Sequence, residues 1–392
     1  MKISASDLKP GMAILKPIYN ENGVVIINEG KVLSENLINR ILEYNIKEVE
    51  VVDFENENIN TLTGDIYTTI SQKLKNETIE SLKKLNVAEI INNAKKIVNT
   101  ILKSKDFNYS LLEYKRNNDV YNHCVRVAAF ACVLAKFYIK EKNQSIDLND
   151  LSVASLVHDL GKTLKDNEMK ISLGNITDKL KERCPGIKNV PIIGYDQRFE
   201  SFYTYCLLEQ LPDISSTIKA AALLTSENEK GTGPLKADKN LINSQDEHIV
   251  ISKIIRLCSV YDDMLKHTIE HNLPLENISS QLEMYSENGL LNKELTNLFL
   301  KHVPLYSVGV KVRLSDNRYA IVVETFTERI NNYKPKVKVV PTGEIIDLRY
   351  ENALTVREIC GDEISFAELV IRQIIDMNNG VTNIEQIKGR TH

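Results

Sequence analysis

The spacing of apolar residues changes twice along the chain. Over residues 1–53, short apolar runs alternate with turn signals. Met12 to Tyr19 predicts a strand, Asn20-Glu21-Asn22-Gly23 a hairpin turn, and Val24-Val25-Ile26-Ile27 the returning strand. Ser34 is placed to cap a helix with Leu37, Ile38, Ile41 and Leu42 on one face, and Val49 to Val52 predicts a third strand. Residues 54–68 read as a linker, polar and rich in Asn as far as 65.

From 69 to 302 the period is helical. Val120, Cys124, Val127, Ala131, Leu134, Ala135 and Tyr138 recur at three and four, predicting a helix over 119–138. A second helix is expected at about 148–160, with Leu151, Ala154, Ser155 and His158 on one face and Gly161 as its stop. A third, over about 247–266, carries Val250, Ile254, Leu257, Cys258 and Tyr261. Near 303 the period becomes two. Val308 to Val312, Tyr319 to Val323 and Val337 to Val340 predict strands, with turns at Ser315-Asp316-Asn317 and Pro341-Thr342-Gly343. Ser365 with Glu368 marks a capping box, and Phe366, Leu369, Val370 and Ile374 form the face of a last helix. The expected fold class is mostly α: a central helical domain over 69–302, a small α+β module over 1–53, and a β segment with a terminal helix over 303–392.

Composition fits that division. A chain of 392 residues exceeds one ordinary core, so two or three domains are expected. A formal net charge of −4 excludes a globally basic nucleic-acid coat and a strongly acidic disordered tail. No nucleic-acid partner is therefore expected, and the Lys-rich segment 71–103 reads as a solvated helical face. No uninterrupted apolar stretch approaches the ~18 residues of a membrane span. The start, Met1 to Asp7, lacks the apolar core of a signal peptide. None of the six cysteines forms a C-x-x-C pair. Cys124, Cys132, Cys206 and Cys258 sit at apolar helical positions, which suits buried reduced thiols and a cytoplasmic location.

Only seven histidines bound the imidazole ligands of any metal site. The sharpest local feature is His158-Asp159-Leu160-Gly161-Lys162. Adjacent imidazole and carboxylate can grip one Fe, Mn or Zn ion. Lys162 could neutralise a phosphate oxygen, or act as a helix-end cation. His123, on the preceding helix, could come beside His158 in an antiparallel pair. Lys230, Gly231, Gly233 and Lys236 could form a phosphate-contacting loop, or an ordinary solvated one. His248, His267, His271, His302 and His392 fit no motif and read as surface or structural.

Asn122-His123-Cys124-Val125-Arg126-Val127-Ala128 followed by Leu156-Val157-His158-Asp159-Leu160-Gly161-Lys162 resembles the start of an HD-superfamily phosphohydrolase. The rest is similar to its HD-GYP branch, associated with hydrolysis of cyclic di-GMP. Leu8-Lys9-Pro10-Gly11-Met12 looks like the module that often precedes that domain, and Val303 to Gly309 with Val310-Lys311-Val312 like the β segment that follows. The resemblance spans about 1–350. It implies a metal-dependent phosphodiesterase whose metals are held by a helical His, the His-Asp pair, a further helical His, a His-His pair with a following Glu, and a late Asp.

His123, His158 and Asp159 match that set. The next His position holds Glu200, the His-His-Glu segment aligns with Thr225-Ser226-Glu227, and the late Asp is Ser259. The Gly-Tyr-Pro signature falls on Gly233-Pro234-Leu235, and Asp262 matches a second acidic position. Neutral hydroxyls are poor ligands for a divalent ion. The expected cofactor is therefore at most one divalent Fe, Mn or Zn, or none, with Glu200 or Glu227 as candidate added ligands. Lys162 and Asp159 are the candidate catalytic residues, if only vestigial. The expected function is a degenerate HD-GYP-like signalling protein without efficient phosphodiesterase activity, binding a cyclic dinucleotide or a signalling protein. The alternative is a working metal-dependent cyclic di-GMP phosphodiesterase with a rearranged site. A helical scaffold whose end modules do the binding is the third reading, and oligomeric state stays open.

Overall fold

The computed structural model describes residues 2–52, 69–104, 107, 119–164, 173–191, 196–326, 334–360 and 372, apart from positions 11, 15, 21, 22, 29, 30, 32, 272, 274, 304, 341 and 352. The expected linker 54–68 lies outside these residues, as does the helix expected from Ser365 but for Arg372. The chain divides into two compact units: Met1–Tyr67 with Val308–Thr325 and Lys334–His392, and Thr68–Ser307 with Phe326–Tyr333.

In the first unit, β1 (Lys2–Ser4), β2 (Ala13–Ile14), β3 (Ile18–Tyr19), β4 (Val25–Ile27), α1 (Glu35–Glu43) and β5 (Glu48–Val52) follow in order. β5 lies between β1 and β2, both antiparallel to it, while β3 and β4 form a separate hairpin. The single strand expected over Met12 to Tyr19 is thus two strands with different partners. Pro17, which has no N–H to give a ladder, stands at the break. The hairpin turns where expected, with Gly23 at φ +74° and the Asn20 side chain accepting the Val24 N–H at 2.9 Å. The Ser34 hydroxyl accepts the Leu37 N–H and so caps α1, whose Ile38 and Ile41 pack into the core of this module.

The same unit holds a five-stranded antiparallel sheet in the order β10-β6-β7-β8-β9. Its strands are β6 (Lys311–Leu314), β7 (Tyr319–Glu324), β8 (Lys336–Val339), β9 (Ile345–Asp347) and β10 (Val356–Ile359). β6 begins later than the spacing predicts, because Gly309 at φ +90° turns the chain just ahead of it. β9 and β10 escape the period-two reading because they are short; only one residue of each is buried.

The second unit is helical, built from α2 (Gln72–Lys83), α3 (Val87–Lys103), α4 (Val120–Lys142), α5 (Leu148–Val157), α6 (Leu173–Arg183), α7 (Glu200–Leu208), α8 (Ser216–Leu224), α9 (Lys239–Ile242), α10 (Glu247–Glu270), α11 (Glu276–Glu287) and α12 (Lys293–His302). α4 is the centre. Every residue from Asn122 to Ala135 is buried, because α5 and α10 pack directly against it and α2, α3 and α12 also touch it. By length and composition α4 could cross a membrane, yet most of its apolar stretch is buried inside this unit, which satisfies the apolar surface without lipid. All six cysteines are buried free thiols.

Candidate metal centre

Three helix segments converge on one buried cluster. Asp119 caps α4 by accepting the Asn122 N–H at 2.8 Å, which starts the helix so that His123 and Arg126 share a face one turn in. α5 ends at Val157, and the chain continues through His158 and Asp159 into a short 3₁₀ turn, Leu160–Thr163. α10 presents Ser259 and Asp262 from its middle.

His123, His158 and Asp159 each offer one ligand atom, and these atoms lie within 4.8 Å of one another. His123 Nε2 is 3.4 Å and His158 Nε2 3.6 Å from the same oxygen, Asp159 Oδ2. The two imidazole centroids are 5.3 Å apart. Both rings are oriented from behind. His158 Nδ1 lies 2.8 Å from the Ser155 carbonyl, which can only accept, so Nδ1 carries the proton and Nε2 a lone pair. That Nε2 is buried with no hydrogen-bond partner among the described residues. His123 Nδ1 lies 2.7 Å from Asp262 Oδ2, and its Nε2 lies 3.1 Å from the Ser259 hydroxyl oxygen. Asp262 is held in turn by Arg126, whose Nε and Nη2 donate to Oδ1 and Oδ2 at 2.8 Å each.

The charges follow from these contacts. Burial works against ionisation of Asp262, but Arg126 and the hydrogen bond from His123 hold its carboxyl well below the usual carboxylate range. Burial likewise works against protonation of His123, and the Asp262 contact outweighs it, with Asp159 and Asp263 assisting, so its pKa is raised. Burial lowers His158 to about 4, which leaves its ring neutral. Asp159 is also desolvated, yet His158, which is protonated in the acidic range where Asp159 titrates, together with Lys162 and His123 brings it to about 2; Lys162 supplies the charge that persists at neutral pH. An orphaned imidazole nitrogen facing an ionised carboxylate is the donor chemistry of a divalent-metal site. The residues present therefore fit a divalent ion, which His123, His158 and Asp159 could hold together.

Gly161 has a different role from the helix stop expected of it. The helix has already ended, and a Cβ at Gly161 would stand 2.3 Å from the Glu200 carbonyl oxygen and 2.6 Å from the Thr204 nitrogen of α7. The glycine lets the turn press against α7. There its N–H donates to Thr204 Oγ1 at 2.8 Å, and that hydroxyl lies 3.0 Å from the His158 carbonyl. Thr204 thus ties down the backbone on both sides of Asp159.

The other sequence candidates lie as follows. Lys162 Nζ pairs with Asp159 Oδ2 and is 3.9 Å from Glu200 Oε2, so Glu200 borders the cluster through Lys162. Glu227 is buried, and its two oxygens accept the Leu235 and Ala237 N–H groups at 2.8 and 3.0 Å. Glu227 therefore braces the loop over 228–237. Gly233 stands where a Cβ would meet Glu227 Oε1 at 2.4 Å, and Gly231 is at φ +68°. The Lys230 and Thr232 N–H groups donate to Asn228 Oδ1. These four amides of the loop thus bond within the protein and are not free to contact a phosphate. Thr225 donates to the Ala222 carbonyl, and Ser226 bonds Ser201. The sequence matched Asp262 to a second acidic position and included Arg126 in the first motif, without pairing either with His123. The signal available was Arg126 three residues after His123, with an acid three residues after Ser259.

No family model matches the chain. A cyclic di-GMP phosphodiesterase from Pseudomonas aeruginosa is 24% identical over 251 residues, which is 61% of this chain and 52% of that protein. The chain thus spans about half the length of this curated relative. Among solved structures, an HDG"Y"P protein from Bdellovibrio bacteriovorus is similar at a TM-score of 0.40 and 15% identity, covering 76% of this chain and 97% of that one. The chain is thus similar in sequence to a cyclic di-GMP phosphodiesterase, and its helical His123 and His158-Asp159 pair lie in one cluster.

Proposed function

We propose that this chain is a cyclic di-GMP signalling protein of HD-GYP type whose site holds at most one divalent ion and turns over cyclic dinucleotide poorly. The observation that carries the reading is the ligand set. Among the described residues, one group of three could hold a metal, His123, His158 and Asp159. Of the further positions the resemblance calls for, Thr225, Ser226 and Ser259 hold hydroxyls, Glu200 lies beside Lys162, and Glu227 accepts two backbone amides. Ser259 stands beside His123 as a hydroxyl at 3.1 Å, which supports aligning it with the family's late Asp.

A bound ion would act as a Lewis acid and lower the pKa of a bound water. The protein's own groups would orient it. Asp262 and the Ser155 carbonyl keep the imidazole lone pairs turned inward, and Lys162 holds a positive charge where an anionic phosphate could approach. Among the described residues, no second group of ligands accompanies these three to complete a two-ion clamp on attacking and leaving oxygens. Glu227 is occupied with backbone amides, which weighs against the rearranged-enzyme alternative.

A cyclic dinucleotide is the proposed ligand, a signalling protein the proposed partner that would read its occupancy, and a cytoplasmic location is proposed with them. The test is titration of cyclic di-GMP into metal-loaded protein, followed over time by chromatography of the nucleotide. Saturable binding with negligible conversion is the expected result. Absence of binding in the metal-loaded protein would remove the reading.

A further inference from the structure

α10 carries a second imidazole pair that the buried cluster does not use. His267 and His271 stand one turn apart near the C-terminal end of the helix, both exposed. Their rings stack with centroids 4.3 Å apart and planes 26° from parallel. The His267 carbonyl accepts the His271 backbone N–H at 3.1 Å and also lies 2.8 Å from His271 Nδ1. A carbonyl oxygen can only accept, so His271 Nδ1 carries the proton and Nε2 presents a lone pair. A backbone carbonyl behind the ring is the arrangement that fixes the tautomer of metal-bound imidazoles. The negative end of the helix dipole adds a favourable field for a cation.

We propose that His267 and His271 form a two-imidazole chelate for a late first-row divalent cation, with Cu(II) held above Ni(II) and Zn(II). The helix fixes the i, i+4 spacing in advance, so the second imidazole binds as an intramolecular ligand at high effective concentration. Water completes the coordination. The site is independent of the buried cluster and of the function proposed for it.

The test uses the full chain and Cu(II) alone. Wild type, His267→Ala, His271→Ala and the double variant are titrated with Cu(II) against a competing chelator, and each is examined by electron paramagnetic resonance. The expected result is a wild-type class of site with two nitrogen ligands. Either single substitution weakens that class by roughly a hundredfold and leaves a one-nitrogen site, and the double variant loses the site, with a total loss smaller than the sum of the two single losses. Both side chains are exposed, and circular dichroism of each variant confirms that the fold is kept. Retention of the two-nitrogen signal in either single variant would overturn the proposal. So would additive losses, which mark two independent single-imidazole sites.

Discussion

His123 and Asp262 stand 139 residues apart in the chain, and their side chains meet at 2.7 Å, imidazole Nδ1 to carboxylate Oδ2. The contact fixes which ring nitrogen of His123 faces the cluster, and Arg126 fixes Asp262 with two hydrogen bonds of its own. This is a carboxylate–histidine pair of the kind that orients metal ligands from behind. Replacing Asp262 by Asn keeps the shape and removes the charge. Metal affinity should fall by about 10–100-fold in a chelator competition. Stability should fall too, by about 3–5 kcal/mol in denaturant unfolding, because Arg126 loses its carboxylate inside the core. Unchanged metal affinity would show that Asp262 does not orient His123.

Lys162 competes with any ion for Asp159, since its ammonium is paired with the same oxygen that faces both imidazoles. Two unit charges about 4 Å apart repel by about 4 kcal/mol at the effective dielectric of a partly buried site. Lys162→Met should therefore tighten Mn(II) or Zn(II) binding by roughly tenfold or more, read by calorimetry. Weaker binding in that variant would mean that Lys162 supports the site rather than opposing an ion.

Glu227→Gln separates a brace from a ligand. A carboxamide can accept through only one of its two end atoms, so the Leu235 or the Ala237 N–H loses its acceptor. The loop over 228–237 should loosen at a cost of about 1–3 kcal/mol, seen as faster amide exchange. Metal content should stay the same. A loss of metal with the loop intact would return Glu227 to the ligand set.

Gly161→Ala tests the contact between the His158-Asp159 turn and α7. The added methyl would lie 2.3 Å from the Glu200 carbonyl oxygen, and backbone on both sides must shift to admit it. A loss of about 1–3 kcal/mol is expected in thermal unfolding, with weaker metal binding as Asp159 is displaced. A variant as stable as wild type would show that the turn is not wedged there.

Much of this was legible in the sequence, and the reasons are local. Helical spacing marked α4 because its burial is continuous, and Ser34 and Gly23 announced the first helix and hairpin through their own hydrogen bonds and dihedral. The His158-Asp159 pair stood out because both residues are adjacent. What stayed hidden was carried by contacts between distant segments. Gly161 resembled a helix stop, yet the atoms that require it to be glycine belong to Glu200 and Thr204. Asp262 matched a second acidic position of the resemblance, yet its partners, His123 and Arg126, come from a segment 136 or more residues away. Glu227 looked like an available carboxylate, since nothing in its own segment shows that two amides eight and ten residues on would occupy it.

The central claim is a one-ion site with little turnover, and one sample tests it. The purified chain is loaded with Mn(II) or Fe(II), its bound metal is counted, and cyclic di-GMP conversion is followed in the same solution. The account predicts no more than one tightly bound ion per chain and no hydrolysis above the protein-free control. Two bound ions with robust turnover that Asp159→Ala abolishes would contradict it.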